Sequence, residues 1–401
     1  MGVWFIGALG SIATTVIAGA AVMSRGLHPA IGMVSDSPLC DGLGLVPIKR
    51  LVFGGHEIRP GTIAKAVAAT SRENGSIQAE WVRSIGSDLA RVDRNIRPGV
   101  SAGAGGAIES LATGLRNRKA EPAATAIARL AEDIRQFTSK VGAARTIVVN
   151  VSSTEPPASD ELKTSTLPAM RRELARRPAA EFRPGLLYAL SAVAAGAAFV
   201  NFTASGSCLV PAVEAAARER GLPYFGNDGK TGETLVKSAL APMFRMRQLQ
   251  VLSWVGFNVL GNQDGLILSD DANKRSKVAT KDGVIGSILG YAPTTRVGIE
   301  YVPSIGDQKT AWDLIHFAGF LGHRMSMQFT WSGCDSILAA PLILDLVRFA
   351  DLAMRRGESG PMSHLSSFFK GPIDATTADL HQQFEQLRNY CDRARKVRNV
   401  R

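Results

Sequence analysis

The start of the chain constrains its fold more than any other segment. Its first 23 residues, MGVWFIGALGSIATTVIAGAAVM, contain no charged side chain. A membrane helix or a signal peptide is the other interpretation of such a run, but residues 1–5 contain no basic side chain and four glycines interrupt the apolar stretch. We instead predict a buried strand at residues 3–6, a glycine turn at residues 7–10 and a helix from Ser11 to about Arg25. This strand–turn–helix unit is typical of the first element of a doubly wound nucleotide-binding sheet.

Similar apolar runs predict further strands of the same sheet. They lie at residues 30–34, 146–151 and 198–202, and they alternate with helical patterns at residues 107–116, 123–137 and 209–220. Strands that alternate with helices predict βαβ units and a parallel sheet, and therefore an α/β fold.

The pattern changes near Met246. Strand-like segments with little helix between them follow at residues 248–256, 265–268, 295–302 and 323–331. Residues 297–301 alternate larger apolar side chains with Gly298 and Glu300, which predicts a second sheet with one buried face. A long apolar-periodic helix follows Ser336, and we expect it to return to the first domain.

The chain of 401 residues carries a net charge of +11, which restricts the classes of partner. The excess is compatible with a generally basic composition, with anionic substrates or with nucleic acid. The basic runs at residues 171–177 and 393–401 lack interleaved aromatic side chains, which argues against a nucleic-acid module. The four cysteines lack CxxC spacing and the six histidines lack metal-ligand spacing, so we predict a reducing compartment and neither a zinc site nor a disulfide framework.

The glycine turn is a variant of the dinucleotide-binding fingerprint. Gly7, Gly10 and Ala13 match the pattern G-x-G-x-x-G/A, but Leu9 stands at its middle glycine. Because a strand precedes the turn and a helix follows it, the helix amides would face a pyrophosphate.

Other predicted strand ends supply further polar candidates. The acid that binds the ribose hydroxyls is expected at the end of the second strand, where Asp36 fits by spacing and Glu57 in FGGHEI is a second candidate. The segment VNVSSTE places Ser153 and Thr154 at the end of another strand, where they would face a ligand crevice, cap the next helix, or do both.

Residues 226–281 combine many amide, hydroxyl and charged side chains. GNDGKTGETLVKS, FNVLGNQDG and KRSKVATK place lysines close to aspartates and amides. Burying these groups in a core is costly unless each finds a partner. Lysines neutralise phosphates and developing oxyanions, whereas amides and carboxylates bind hydroxyls. The stretch therefore predicts a site for a phosphorylated, hydroxyl-rich molecule, and IGDQK adds Asp307 and Lys309 after a later strand.

Taken in order, these segments resemble the inositol-1-phosphate synthase (myo-inositol-3-phosphate synthase) family from about Gly7 to Pro372. The motifs that carry the resemblance are FGGHEI, LYALSAVAAGAAFVN, GNDGKTGETLVKSAL, FNVLGNQDG, RSKVATK, VPSIGDQK, CDSILAAPLILDL and SSFFKGP. The resemblance implies a Rossmann-type doubly wound parallel sheet with an inserted α+β catalytic and tetramerisation domain. Residues 1–245 and 335–401 would form the NAD-binding domain, and residues 246–334 the inserted domain.

The resemblance also implies an activity. Bound NAD would oxidise C5 of glucose 6-phosphate, the ketone would allow enolisation at C6, an aldol closure would join C6 to C1, and the hydride would return. The net reaction would be an isomerisation to myo-inositol phosphate. The resemblance further implies a cytoplasmic homotetramer that binds a sugar phosphate and binds neither nucleic acid nor a membrane.

The residue roles follow from the resemblance position by position. Lysines would dominate because enolate and alkoxide intermediates need nearby cations. The implied catalytic residues are Lys230, Lys277, Lys281, Lys309, Lys370, Asp307 and Asn258. Lys277 and Lys309 are expected at the C5 oxygen and the proton transfers. Lys281 and Lys370 are expected at the phosphate or the C1 aldehyde oxygen. The implied cofactor-contacting residues, with Glu57 preferred to Asp36, are Gly7, Gly10, Ser11, Ile12, Glu57, Ser153, Thr154, Asp228, Thr231, Asn262, Asp264, Asp335 and Ser336.

The sequence is also compatible with other substrates and other functions. The segment FTASGSC (residues 202–208) and Val259 depart from the family pattern and are expected to border the sugar. Fructose 6-phosphate, closing to a five-membered cyclitol phosphate, is therefore an alternative substrate. An NAD-dependent dehydrogenase with net redox and a basic nucleic-acid binder are alternatives of other classes. Asp264, Asp307 and Asp335 have no diagnostic ligand spacing, so the sequence leaves the need for a metal or a monovalent cation open.

Overall fold

The computed structural model describes residues 1–113, 120–261, 265–266 and 284–398. Its larger sheet has six parallel strands in the order β3-β2-β1-β4-β5-β6. These strands are β1 (Gly2–Ile6), β2 (Val52–Glu57), β3 (Ile96–Pro98), β4 (Thr146–Asn150), β5 (Ala198–Asn201) and β6 (Tyr224–Gly226). The order reverses between β1 and β4, where the carboxyl ends of the strands leave a crevice for a ligand. The predicted α/β fold with a doubly wound parallel sheet is confirmed.

Helices cover both faces of this sheet. In the described ranges the main helices are α1 (Ser11–Ser24), α2 (Ile63–Asn74), α3 (Ala79–Ser84), α4 (Gly86–Asp93), α5 (Gly106–Glu109), α6 (Ala123–Lys140), α7 (Asp160–Thr164), α8 (Leu167–Arg176), α9 (Pro184–Ala194), α10 (Pro211–Glu219), α11 (Gly232–Met246), α12 (Asp335–Arg355) and α13 (Leu380–Arg398). One apolar layer contains α1, α2 and α12, and the other contains α6, α9 and α10. Because both faces are covered, all five residues of β1 are buried and its sequence is a continuous apolar run.

The second sheet has four strands in the order β10-β9-β7-β8. They are β7 (Gln250–Leu260), β8 (Thr294–Tyr301), β9 (Gln308–Ala318) and β10 (Arg324–Cys334). β7 pairs parallel with β8 and antiparallel with β9. Phe244 on α11 packs on Trp254 and Phe317 of this sheet, and residues 284–289 form a helical stretch in the same core. The chain then returns through α12, which packs on α1.

The strand predicted at residues 30–34 is wrong. Residues 30–34 form a loop that leads into a 3₁₀ helix at Val34–Asp36, and the second strand of the sheet is Val52–Glu57 instead. Asp345 of α12 accepts the backbone N–H groups of Val34 at 2.9 Å and Ser35 at 3.0 Å. These amides therefore have partners without a neighbouring strand, and the apolar run does not need a place in a sheet.

Two further element predictions need correction. Gly265 and Leu266 are helical, so the predicted strand at residues 265–268 is wrong where the structure describes it. The helix predicted at residues 107–116 is wrong beyond Glu109, because α5 spans Gly106–Glu109 and residues 110–113 are not helical; residues 114–116 lie outside the described part of the chain. The other predicted strands and helices are confirmed within a few residues, whereas β2, β3, β6 and β9 were not predicted. Within the residues described, no helix combines the length and the apolar character that a bilayer crossing requires.

Candidate functional site

A cavity of about 730 Å³ lies at the carboxyl edge of the parallel sheet, where the strand order reverses. Its lining comes from the glycine turn, from the segments that follow β2, β4, β5 and β6, and from the start of α12. The second sheet contributes Tyr301 at the end of β8, and the connection from β8 to β9 contributes Pro303, Gly306 and Asp307. Both sheets therefore border one space at the position where open α/β folds bind their ligands.

The glycine turn has the geometry of a pyrophosphate site. Gly7 has a φ of +86°, and a Cβ atom there would lie 3.1 Å from the Cα of Ser152. Gly10 is the N-cap of α1 and no side chain caps this helix, so its first-turn amides are left to a ligand. Ser11 and Ile12 line the cavity beside them. The cradle fits a dinucleotide although Leu9 replaces the middle glycine of the fingerprint.

Glu57 fixes this turn. Its Oε2 accepts the N–H of Leu9 at 2.6 Å, and its Oε1 accepts the N–H groups of Ile58 at 2.8 Å and Arg59 at 3.0 Å. Glu57 is buried and lines the cavity. Asp36 is not among the described lining residues, and its carboxylate lies 3.8 Å from Nη1 of Arg348. Of the two candidates for the ribose acid, the structure thus brings only Glu57 to the cavity.

The segment after β4 places Ser152, Ser153, Thr154 and Glu155 in the cavity wall. The sequence analysis selected the two hydroxyls Ser153 and Thr154 and did not select Glu155. The carboxylate of Glu155 accepts the N–H of Gly185 at the start of α9 at 2.8 Å and the hydroxyl of Ser207 at 2.8 Å. Complete burial raises the pKa of Glu155 to about 7. In the sequence, Glu155 is indicated by its position directly after three consecutive hydroxyl residues.

Two lysine–aspartate pairs converge on the cavity. Nζ of Lys370 lies 2.8 Å from Asp228, which is 142 residues away in the chain, and Lys370 itself lines the cavity. Nζ of Lys309 lies 2.8 Å from Asp335. Asp335 lines the cavity, whereas Lys309 is not among the described lining residues and is connected to the cavity through this aspartate. Backbone bonds fix the first pair, because Lys370 N–H donates to the carbonyl of Asp228 at 2.7 Å.

Asp307, Ser336 and Thr231 also line the cavity. The Asp307 carboxylate accepts hydrogen bonds from the Cys334 thiol at 3.0 Å and from the Ser336 hydroxyl at 3.3 Å. Burial raises the pKa of Cys334 to about 11, so the thiol keeps its proton and remains a donor to the carboxylate.

Two predicted catalytic residues point elsewhere. Lys230 is not among the described lining residues, and its ammonium donates to Oε1 of Gln383 on α13 at 2.5 Å. Burial lowers the pKa of Lys230 to about 8. Asn258 of β7 is fully buried and donates to Glu233.

The Asn258 contact belongs to a buried polar network that the sequence analysis missed. Lys237 pairs with Glu233 and lies 3.7 Å from Asp313, which accepts the indole N–H of Trp254 at 2.7 Å. The network joins α11 to the second sheet. Its signal in the sequence was the spacing of four residues between Glu233 and Lys237, which puts the two on one helical face.

Four predicted site residues lie outside the described residues, namely Asn262, Asp264, Lys277 and Lys281. In the described ranges, no group of three or more His, Cys, Asp or Glu side chains is arranged to hold a metal ion.

Comparison with solved structures gives the fold independently. An inositol-3-phosphate synthase from Caenorhabditis elegans superposes with a TM-score of 0.86 at 21% identity, covering 98% of this chain and 85% of the nematode chain. A myo-inositol-1-phosphate synthase-related protein from Thermotoga maritima superposes with a TM-score of 0.75 at 23% identity, covering 98% of each chain. These likenesses confirm the Rossmann-type architecture.

Sequence comparison gives the family. Inositol-3-phosphate synthase 1 of Bacteroides thetaiotaomicron is 32% identical over 97% of this chain and 93% of its own length. Inositol-3-phosphate synthase 1 of Rattus norvegicus is 29% identical over 82% of this chain, which spans 61% of the length of the rat protein. A family model described as myo-inositol-1-phosphate synthase, and named for NAD binding, matches residues 1–392. NAD is therefore the cofactor, as predicted, and the chain belongs to the myo-inositol-1-phosphate synthase family.

Proposed function

We propose that this protein converts D-glucose 6-phosphate into a myo-inositol phosphate by NAD-dependent cyclisation. The observation that carries the proposal is the convergence of Lys309–Asp335 and Lys370–Asp228 on a cavity that also contains the glycine turn. Such a site joins a dinucleotide cradle to fixed cations, which is what an oxidation followed by enolisation and aldol closure requires. The reaction is an intramolecular isomerisation without net redox.

The residues at the position where the strand order reverses fit NAD. When bound, NAD supplies a hydride acceptor for C5 of the sugar and returns the hydride after ring closure. The turn and the start of α1 would bind the pyrophosphate, and Glu57 would bind the ribose hydroxyls. The other lining residues that we assign to cofactor contacts are Ser153, Thr154, Asp228, Thr231, Asp335 and Ser336. The same role for Asn262 and Asp264 stays a prediction.

We assign the two described lysine pairs to the sugar. Lys309, held by Asp335, exchanges the proton of the C5 hydroxyl oxygen and stabilises negative charge there. Lys370, held by Asp228, neutralises the phosphate or the C1 oxygen. Asp307 orients this end of the site, and its bonds from Cys334 and Ser336 fix its carboxylate. The roles of Lys277 and Lys281 stay predictions. Because Lys230 and Asn258 face away from the cavity, we assign them to the support of the site.

We retain the predicted division into domains as part of the proposal. Residues 1–245 and 335–401 would form the NAD-binding domain and residues 246–334 the inserted catalytic domain. Three features support the division: α11 ends at Met246, β7–β10 form their own sheet, and α12 begins at Asp335 and packs on α1.

We further propose that the inserted domain assembles a homotetramer. The turn between β9 and β10 exposes Phe320 at 88% and Leu321 at 89%, and exposed side chains of this size favour contact with another chain. Light scattering coupled to gel filtration should give four chains per particle. A cytoplasmic location stays a prediction that is supported by the four cysteines, all of which are buried thiols.

Product analysis tests the activity directly. The purified protein should be incubated with NAD and either glucose 6-phosphate or fructose 6-phosphate labelled with carbon-13. We expect carbon NMR to show a six-membered myo-inositol phosphate from glucose 6-phosphate without stoichiometric NADH. Absence of conversion of glucose 6-phosphate would overturn the proposal. Accumulation of NADH in proportion to product would indicate a net dehydrogenase instead.

A further inference from the structure

Phe202 and Gly229 form a matched pair in the cavity wall. Phe202 follows the last residue of β5 and is 5% exposed, and both residues line the cavity. A Cβ atom built on Gly229 would lie 2.0 Å from Cζ and 2.2 Å from Cε1 of the Phe202 ring. The ring therefore occupies the space that any side chain at position 229 would need.

Backbone conformation does not explain this glycine. Gly229 is not among the glycines with a left-handed φ, so its conformation is open to other residues. Its N–H donates to the carbonyl of Phe202 at 3.0 Å, which holds the two segments together. The Phe202 ring therefore requires a glycine at position 229, and the two residues are sterically complementary.

The position of the pair gives it a function. In a doubly wound sheet with this strand order, the adenosine half of a dinucleotide lies over β1 and β2, and the nicotinamide half lies over β4 and β5. Phe202 stands at the end of β5, and Gly229 is next in the chain to Asp228, which holds Lys370. The ring therefore borders the region in which the nicotinamide and the reacting carbon of the sugar meet.

We infer that Phe202 is a positioning residue that closes the redox part of the site against water, with Gly229 as its fitted partner. The inference rests on the proposed function. During the first step the C–H and O–H bonds at C5 break, a C=O bond forms, the hydride goes to NAD and the proton goes to a base. An apolar wall keeps the keto sugar phosphate and NADH together until the hydride returns.

A smaller side chain at position 202 should uncouple the reaction. In Phe202→Ala and Phe202→Leu, some of the oxidised intermediate should leave before ring closure, so that one NADH and one proton accumulate per molecule lost. We expect the ratio of NADH to inositol phosphate to rise about tenfold or more above that of the unmodified protein. Absorbance of NADH and carbon NMR of the products measure this ratio.

The matched control is Phe225→Leu. Phe225 belongs to the same aromatic cluster, since the Phe225 and Phe202 rings lie 6.2 Å and 6.3 Å from that of Phe369. Phe225 is 2% exposed and is not among the described lining residues. The variant Phe225→Leu should lower the thermal stability as much as Phe202→Leu does, while the ratio of NADH to inositol phosphate stays unchanged. Equal ratios in Phe202→Leu and the unmodified protein, or equal rises in both variants, would overturn the inference.

A second readout does not depend on turnover. The fluorescence emission of NADH bound to the unmodified protein should be that of a nicotinamide ring shielded from water. In Phe202→Ala the emission should shift toward that of free NADH. Gly229→Ala should clash with the Phe202 ring and lower the thermal stability, and the double variant Phe202→Ala with Gly229→Ala should recover it.

If the unmodified protein does not cyclise glucose 6-phosphate, the proposed function fails. The fluorescence and stability results still decide the role of Phe202, and unchanged emission in Phe202→Ala would refute it.

Discussion

At the scale of single residues, the described site lysines act through fixed carboxylate partners. Asp335 holds Lys309 and Asp228 holds Lys370, each at 2.8 Å. A lysine has a flexible stem, and an ion pair in a partly closed cavity places its ammonium where charge develops. Replacing such a lysine should therefore cost transition-state stabilisation and leave the fold and the nucleotide cradle intact.

We predict that Lys309→Ala lowers turnover by about 1,000-fold or more, because a preorganised cation is lost from the reaction centre. The affinity for NAD, measured by calorimetry, should stay close to that of the unmodified protein. Lys163→Ala is a matched control, since Lys163 pairs with Asp160 on the surface of α7. Turnover of Lys309→Ala at the normal rate would remove Lys309 from the mechanism.

Glu155 gives the fold a defined dependence on pH. Burial raises its pKa from 4.5 to about 7, so the folded chain binds this proton more tightly than the unfolded chain. The contribution to stability is present below the unfolded value and is lost as pH rises through about 7. Glu155→Gln removes the buried charge, keeps an oxygen that accepts the N–H of Gly185, and replaces the oxygen that accepts from Ser207 by an amide N–H that can donate to the Ser207 hydroxyl.

The variant Glu155→Gln should therefore be more stable than the unmodified protein near pH 8, by about 3 kcal/mol at most, and equally stable at about pH 4. Chemical denaturation over this pH range measures the difference. A difference that is independent of pH would show that the carboxylate is not the titrating group.

At the scale of elements, α13 supports the loop that carries Asp228. Gln383 of α13 accepts from the Lys230 ammonium, and the Lys230 N–H donates to the carbonyl of Phe368 at 2.8 Å. These contacts tie the loop after β6 to the segment that carries Lys370. The helix α13 thus supports the geometry of the Lys370–Asp228 pair, although its partner Lys230 does not enter the cavity.

We expect Lys230→Met to destabilise the fold by about 1–3 kcal/mol, because Oε1 of Gln383 loses its buried donor. Turnover should fall much less than in Lys309→Ala. The double variant Lys230→Met with Gln383→Leu should be more stable than the sum of the single changes indicates, which a denaturation cycle measures. A loss of turnover equal to that of Lys309→Ala would instead make Lys230 catalytic.

At the scale of the whole molecule, the two ends of the chain depend on each other. α12 packs on α1, and buried residues of both helices belong to one apolar layer beside β1. The N-terminal segment cannot cover this layer alone, since α12 follows the whole second sheet in the sequence.

A chain that ends at residue 334 should therefore lack cooperative thermal unfolding, because removal of α12 uncovers the apolar face of α1. Calorimetry of this fragment and of the full chain measures the effect. The fragment with residues 335–401 added as a separate chain is the control and should regain a transition. A cooperative transition of the fragment alone would contradict the shared core.

The local elements and the class of chemistry follow from the amino-acid sequence alone. Unbroken apolar runs predicted β1, β4 and β5 because strands buried on both faces need such side chains, and the glycine turn predicted the cradle at the start of α1. Motif order indicated the family and its cofactor. These signals are local, since each depends on residues close together in the chain.

The contacts between polar groups, in contrast, depend on how the elements pack together. Lys370 pairs with an aspartate 142 residues away, while Lys230, two positions after that aspartate, turns to Gln383 on another element. Residues 30–34 have the apolar character of a strand, yet α12 places Asp345 where its carboxylate binds the following amides. Spacing cannot reveal such partners, because charge pairing and amide capping depend on distances that packing sets after the elements have formed.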